Sequence, residues 1–192
     1  TSLDEQAFQN EDIECARVEV PVDYTRPQGE TLSFGLLRKP AEDPSRRIGS
    51  LLVNPGGPGA SGMRSAAGLA TSVQGNELGQ RFDLVGFDPR GVGSSEPKIE
   101  CLSGAQRDAE RLDADADASP QGVQRNEQEN RDYAAECARR SGEDLLANVG
   151  TREVVKDMDV IRSALGDRKL TYLGYSYGTR IGSEYGEQFP GN

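Results

Sequence analysis

A serine held between two glycines, directly after a short apolar run, is the feature that most constrains the fold of this chain. Residues 170–173 read Leu-Thr-Tyr-Leu and predict a buried strand, and residues 174–178 read Gly-Tyr-Ser-Tyr-Gly. Ile181, Tyr185 and Phe189 then recur every fourth residue, which predicts one face of a helix. A strand, a tight turn that carries a serine, and a helix form the context that the nucleophile-elbow motif requires.

The two glycines of this motif have a steric role. The turn is sharp and strains the backbone of the serine, and a Cβ at Gly174 or Gly178 would collide with a neighbouring strand or helix. We expect the Ser176 hydroxyl to project from the edge of the sheet as a nucleophile. The N–H of Tyr177 would lie unpaired at a helix start, where it can face a developing oxyanion. The alternative is a glycine-rich turn that matches the pattern by chance.

Histidine is absent from all 192 residues. A serine nucleophile normally needs an adjacent base, which is usually a histidine. The chain therefore cannot hold a complete Ser-His-Asp triad. Either the interpretation of Ser176 is wrong, or the chain is one part of an enzyme.

The glycine-rich stretch from Asn54 to Gly62 is the second candidate for chemistry. An elbow hydrolase draws one oxyanion donor from the residue after the nucleophile and the other from a loop of this kind. We expect the N–H of Gly57 to be that second donor, with Gly56 as the reserve choice, because Pro58 has no N–H to offer. The alternatives are a plain turn or a phosphate-binding loop. The stretch lacks the lysine of a P-loop, however, and its prolines break the dinucleotide-binding pattern.

The order of predicted elements indicates an α/β fold. Strands are predicted at residues 16–22, 31–38, 48–54, 82–87 and 170–173. The first two form an antiparallel hairpin, and helical patterns at 63–73 and 151–165 separate the later strands, which favours a mostly parallel sheet. Thr151 is expected to cap the second helix. The last strand is expected to be fully buried, so it should not be a bare sheet edge, and further chain would complete the sheet.

Residues 97–147 differ in character from the rest. They are charged, and they contain a polar helix predicted at 123–139. We interpret them as an excursion from a core formed by residues 13–96 and 148–192. Partial disorder around 112–122 is the alternative for part of this stretch.

The three cysteines suggest one disulfide and one cysteine whose partner lies elsewhere. Cys101 and Cys137 bracket the excursion and are expected to pair. Cys15 would then pair with a residue outside this chain. Three reduced, buried cysteines are the alternative.

Charge and composition narrow the range of partners. The chain has 22 basic and 32 acidic residues and a net charge of −10, which disfavours nucleic acids and anionic membrane surfaces. No run approaches the ~20 apolar residues that a membrane span needs. No Cys-x-x-Cys pair occurs, and we expect neither a metal nor another cofactor.

Four further residues near the two loops are weaker candidates for a role in catalysis or substrate binding. Asp88 and Arg90 follow the fourth predicted strand and could bind substrate, but a role in bracing the loops around the elbow is favoured. Tyr175 and Tyr177 flank the serine and are interpreted as packing groups rather than as acids or bases.

Three motifs taken together resemble a known family. They are residues 54–62, Asn-Pro-Gly-Gly-Pro-Gly-Ala-Ser-Gly; residues 87–95, Phe-Asp-Pro-Arg-Gly-Val-Gly-Ser-Ser; and residues 174–179, Gly-Tyr-Ser-Tyr-Gly-Thr. In this order they resemble the α/β-hydrolases of the prolyl and tripeptidyl aminopeptidase type. In particular, they resemble those of the secreted tripeptidyl aminopeptidases and related cell-envelope carboxylesterases and proteases of actinobacteria. The resemblance extends over nearly the whole chain.

This resemblance implies the N-terminal half of an α/β-hydrolase, completed by a C-terminal segment outside this chain. Ser176 would be the nucleophile of a serine hydrolase that cleaves peptide bonds near the N-terminus of peptides through an acyl-enzyme. The amides of Gly57 and Tyr177 would form the oxyanion hole. The C-terminal half would supply the catalytic His and Asp, with Cys15 as the candidate link to it. The enzyme would be secreted or held in the cell envelope.

Two alternatives remain open. A carboxylesterase or lipase would use the same elbow on ester substrates. A non-catalytic fragment or interaction module would instead dock a partner chain through its exposed sheet edge, and the absence of histidine is the best support for that alternative.

Overall fold

A single five-stranded sheet organises the chain. Its strands are β1 (Glu14–Pro21), β2 (Thr31–Lys39), β3 (Gly49–Asn54), β4 (Phe82–Phe87) and β5 (Thr171–Gly174). They lie in the order β1-β2-β4-β3-β5. β2 is antiparallel to both β1 and β4, whereas β3 is parallel to both β4 and β5. The predicted hairpin and the change to parallel pairing are therefore confirmed.

The computed structural model describes residue 8 and residues 12–112 and 117–192. The helices in these parts are α1 (Gly62–Ser72), α2 (Glu77–Arg81), α3 (Gly104–Leu112), α4 (Pro120–Ser141), α5 (Glu143–Ala147), α6 (Thr151–Ala164) and α7 (Tyr177–Gln188). A short 3-10 turn covers Pro44–Arg46. The helices predicted before and after the elbow, and the polar helix, are confirmed as α6, α7 and α4. None of the helices in the described ranges has the length and apolar character needed to cross a bilayer.

The core lies on both faces of the sheet because β3 and β4 are buried on both. Successive side chains of a strand point to opposite faces. Leu52 of β3 packs in one cluster with α6 and α7, and Leu51 and Val53 pack in another with α1. All six residues of β3 are buried. The central parallel strands therefore hold the loops at their carboxyl ends in fixed positions.

Two local predictions are wrong. β5 has four residues, lies at the edge of the sheet, and is exposed at Thr171 and half-buried beyond it, rather than fully buried. Thr151 does not cap α6, because Gly150 occupies the N-cap position and the Thr151 hydroxyl is hydrogen-bonded to Tyr177 instead.

The segment between β4 and α6 begins with a long loop and then contains the helices α3, α4 and α5. The structure contains a disulfide between Cys101 and Cys137, whereas Cys15 on β1 is exposed and free. Residues 113–116, in the stretch for which partial disorder was the alternative, lie outside the described residues. Ser119 caps α4, since its hydroxyl accepts the Gly122 N–H at 3.1 Å.

Candidate active site

Ser176 occupies a sharp turn between β5 and α7. Its backbone has φ 50° and ψ −122°, and it is the only non-glycine residue with positive φ in the described part of the chain. Such a conformation costs about 1–3 kcal/mol and persists only where the surroundings enforce it. The residue is exposed, so the turn presents its hydroxyl at the carboxyl end of the sheet.

Close backbone packing enforces this turn. A Cβ added to Gly174 would lie 2.6 Å from the carbonyl oxygen of Gly178, and one added to Gly178 would lie 2.7 Å from that of Asn54. The Tyr172 hydroxyl, whose pKa is raised by burial, donates to the Gly178 carbonyl at 2.9 Å. The Tyr175 N–H donates to the Asn54 carbonyl at 3.0 Å. The last residue of β3 therefore also hydrogen-bonds to the turn that follows β5.

The loop after β3 lies directly against the elbow. A Cβ added to Gly56 would lie 2.5 Å from the carbonyl oxygen of Tyr175 and 2.7 Å from the nitrogen of Tyr177. The Gly56 N–H donates to Asn54 Oδ1 at 2.8 Å. Among the described residues, the N–H groups of Gly57 and Tyr177 have no acceptor. The structure thus brings together two loops that each carry an unused amide donor.

Asp88 joins this loop to the loop after β4. Its carboxylate accepts the Ser61 hydroxyl at 2.5 Å, the Ser94 N–H at 2.8 Å and, more weakly, the Met63 N–H at 3.3 Å. Ser61 is also the N-cap of α1. Asp88 therefore holds the start of α1 in place by accepting from both hydroxyl and backbone donors.

Arg90 is fully buried and braces the fold. Its Nε donates to Asp157 Oδ2 at 2.6 Å, and its Nη1 donates to the Val22 carbonyl at 2.5 Å and the Asn148 carbonyl at 3.0 Å. Asp157 also accepts the Tyr24 hydroxyl at 2.7 Å. Burial disfavours the guanidinium charge, but the hydrogen bonds and charge of Asp157 outweigh it and raise the pKa of Arg90.

The sequence interpretation missed Asp157. The residue lies within the apolar stripe of α6, three residues after Val154 and four before Ile161. A carboxylate among buried apolar positions could have indicated that a buried cation, here Arg90, packs against this helix.

The two tyrosines beside the serine differ from each other. Tyr175 is 50% exposed, so the prediction that it packs in the fold is wrong. Tyr177 is half-buried, and its hydroxyl lies 2.6 Å from Thr151 Oγ1. This pair borders a mostly apolar cavity of about 340 Å³, whose other lining residues include Gly56, Pro58, Val92, Val154 and Ile181.

The described residues bring an exposed serine hydroxyl close to two amide N–H groups that have no acceptor. The sequence has no histidine. Within residues 8, 12–112 and 117–192, cysteine and carboxylate side chains do not converge in a group that could hold a metal ion. Such an arrangement can present a hydroxyl and two amide donors to a ligand, and a hydroxyl nucleophile would also need a base.

Comparison with known proteins identifies the fold. Residues 49–192 match the family model described as the alpha/beta hydrolase fold. The serine protease Hip1 of Mycobacterium tuberculosis is 51% identical over 176 residues, which are 92% of this chain and 33% of that protein. Carboxylesterase B of the same organism is 50% identical over 150 residues, 78% of this chain and 28% of that protein. A tripeptidyl aminopeptidase of Streptomyces coelicolor is 41% identical over 181 residues, 93% of this chain and 33% of that protein.

The chain spans about a third of the length of the curated relatives that it matches.

Proposed function

The chain belongs to the alpha/beta hydrolase fold family, and on that premise we propose that Ser176 is the nucleophile of a serine hydrolase that cleaves peptide bonds near the N-terminus of peptides. The observation that carries the proposal is the strained, exposed backbone of Ser176 beside two amides without acceptors. Similarity to proteins named serine protease and tripeptidyl aminopeptidase supports a peptidase.

The proposed mechanism is acyl transfer. Ser176 Oγ attacks the scissile carbonyl while a histidine from another segment takes its proton, and the carbonyl oxygen becomes an oxyanion. The N–H groups of Gly57 and Tyr177 stabilise that oxyanion, and loss of one such donor slows an enzyme by about 10²–10³-fold. The protonated histidine then donates to the leaving amine, and water hydrolyses the acyl-serine.

The remaining catalytic groups are assigned to a C-terminal segment outside this chain. It would carry the His and the Asp of the triad, and the exposed, free thiol of Cys15 is the candidate for a disulfide to it. The disulfide between Cys101 and Cys137 supports a secreted or cell-envelope location, because disulfides persist in oxidising compartments.

The apolar cavity beside Tyr177 offers space for an apolar side chain of the substrate.

The experiment is a comparison of substrates in the complete protein that contains this chain. Tripeptides with a free N-terminus and a fluorogenic leaving group are compared with their N-acetylated forms, for the wild type and for Ser176→Ala. We expect the free peptides to be cleaved faster than the acetylated ones, and Ser176→Ala to lose both activities. Cleavage by Ser176→Ala at the wild-type rate would contradict the proposal.

A carboxylesterase is the second candidate, favoured by the 50% identity to Carboxylesterase B. Short acyl esters included in the same assay distinguish it. Ester hydrolysis without peptide cleavage would favour the esterase. The absence of both activities in the complete protein would favour a non-catalytic interaction module.

A further inference from the structure

The geometry points to Asn54 as a positioning residue that selects which amides form the oxyanion site, an inference that rests on the proposed function. Asn54 is the last residue of β3 and is 1% exposed. It has two hydrogen bonds to the site. Its carbonyl accepts the Tyr175 N–H at 3.0 Å, and its side-chain Oδ1 accepts the Gly56 N–H at 2.8 Å.

The first consequence is a choice between adjacent donors. Gly56 and Gly57 each carry an N–H in the loop that lies against the elbow. The single hydrogen of the Gly56 amide already has an acceptor in Asn54 Oδ1. The Gly57 amide has none among the described residues, so it is the one left to bind a developing oxyanion.

The second consequence is a coupling between the two donor loops. A Cβ added to Gly178 would lie 2.7 Å from the carbonyl oxygen of Asn54 and 3.2 Å from its Oδ1. Asn54 therefore contacts the start of α7, which carries the Tyr177 amide, as well as the loop that carries Gly57. We therefore expect a change in its side chain to affect both donors.

The third consequence concerns charge. Asn54 Nδ2 is buried and has no hydrogen-bond partner in the described parts of the chain. A buried donor without an acceptor destabilises a fold. Aspartate would accept the Gly56 N–H equally well without orphaning a donor, but it would place a buried negative charge beside a forming oxyanion. The neutral amide provides the acceptor without that repulsion.

The test is Asn54→Asp in the complete enzyme. The concentration of active sites is determined by titrating a separate sample with a fluorophosphonate, and kcat is expressed per active site. We expect kcat to fall about 10²-fold at neutral pH, comparable to the loss of one oxyanion donor, with KM changed much less. The ratio of variant to wild-type kcat should rise as the pH is lowered, because protonation removes the introduced charge.

Asn76→Asp is the matched control. Asn76 Oδ1 also accepts backbone N–H groups, from Leu78 at 2.9 Å and Gly79 at 3.1 Å, but at the start of α2. The same chemical change there should leave kcat unaltered, and the ratio of variant to wild-type kcat should not change with pH.

The outcomes separate this inference from the proposed function. If Ser176→Ala is inactive but Asn54→Asp keeps wild-type kcat per labelled site, the positioning role is overturned and the nucleophile stands. A loss of stability with unchanged kcat would overturn the positioning role in the same way. If Ser176→Ala remains active, the proposed function fails instead.

A second measurement applies if the Asn54 variant does not fold. In a crystal structure of the unaltered enzyme with a boronate bound at the serine, the oxyanion-mimicking oxygen should lie about 3 Å from the nitrogens of Gly57 and Tyr177. The Gly56 N–H should remain on Asn54 Oδ1. An oxygen bound to the Gly56 N–H would overturn the inference.

Discussion

At the scale of single residues, Tyr177 has two polar groups in different surroundings. Its main-chain N–H lies at the first residue of α7, where no helical acceptor exists, and its side-chain hydroxyl pairs with Thr151 Oγ1 at 2.6 Å. The amide belongs to the proposed oxyanion site, and the hydroxyl links the first turns of α6 and α7. The two roles can be separated by mutation.

Tyr177→Phe and Thr151→Val should each lower stability, and a double-mutant cycle should show coupling. A neutral hydrogen bond contributes about 0.5–1.5 kcal/mol, and the cycle should return a value in that range. The amide of residue 177 is retained, so kcat should change little. Urea unfolding and peptide hydrolysis in the complete protein measure the two quantities. A coupling energy of zero would show that the hydroxyl pair contributes nothing.

Single residues also mark the limits of prediction from sequence. The Gly-x-Ser-x-Gly pattern predicted the turn at Ser176 because only glycine tolerates the contacts on both sides. The hydrogen bond between Thr151 and Tyr177 was not predictable, because it depends on how two helices meet. The exposure of Tyr175 was missed for the same reason: residue type alone does not give the direction of a side chain in a turn.

At the scale of elements, the start of α7 is tightly packed, whereas Gly186 near its end faces open space. A Cβ at Gly178 would meet the carbonyl oxygen of Asn54 at 2.7 Å, whereas one at Gly186 in the same helix would meet no atom within 4 Å. The two glycines therefore provide a matched pair for substitution by alanine.

Gly178→Ala should destabilise the protein by about 1–3 kcal/mol, because the backbone must shift to admit the methyl group. It should also lower kcat/KM, since the shift displaces the Tyr177 amide. Gly186→Ala should instead stabilise the protein by about 0.5–1 kcal/mol through helix propensity. Thermal unfolding and steady-state kinetics of both variants provide the check. Equal effects would show that the close contact at the elbow is unimportant.

Contacts between α6 and α7 should also make stability depend on pH. Burial opposes the ionisation of Asp159, but hydrogen bonds from Arg162, Tyr185 and Asn192 outweigh it and lower its pKa. The stabilisation is therefore present above the ordinary aspartate pKa of about 3.9 and is lost as the pH falls through the lower folded-state value. Between pH 6 and pH 3, the free energy of unfolding should therefore fall less for Asp159→Asn than for the wild type. An unchanged pH dependence would contradict this.

Elements with strong periodicity were predictable, and the shortest helices were not. The apolar runs of β3 and β4 and the stripes of α6 and α7 carry their burial pattern in the sequence. The five-residue helices α2 and α5 have too few turns to show a period. The edge position of β5 depends on strand order, which local pattern does not contain.

At the scale of the whole molecule, one buried ion pair connects distant parts of the chain. Arg90 and Asp157 have side chains that are 0% exposed, and Arg90 also donates to carbonyls at Pro21, Val22 and Asn148. The pair therefore joins the end of β1, the loop after β4 and helix α6. Its loss should affect the entire fold.

Arg90→Met should destabilise the protein by about 3–5 kcal/mol, because it leaves the Asp157 carboxylate buried without its partner. The double variant Arg90→Met/Asp157→Leu should be more stable than the single variant, since it removes the orphaned charge. Chemical denaturation of the complete protein measures both. A double variant less stable than the single one would show that the orphaned carboxylate is not the main cause of the destabilisation.

Covalent labelling tests whether Ser176 is the nucleophile of the complete protein. The complete protein is treated with a fluorophosphonate, and the labelling rate and the modified peptide are determined by mass spectrometry for the wild type and for Ser176→Ala. We expect a single adduct on Ser176 in the wild type and none in the variant. Labelling of the variant at the wild-type rate, or an adduct on another residue, would contradict this expectation.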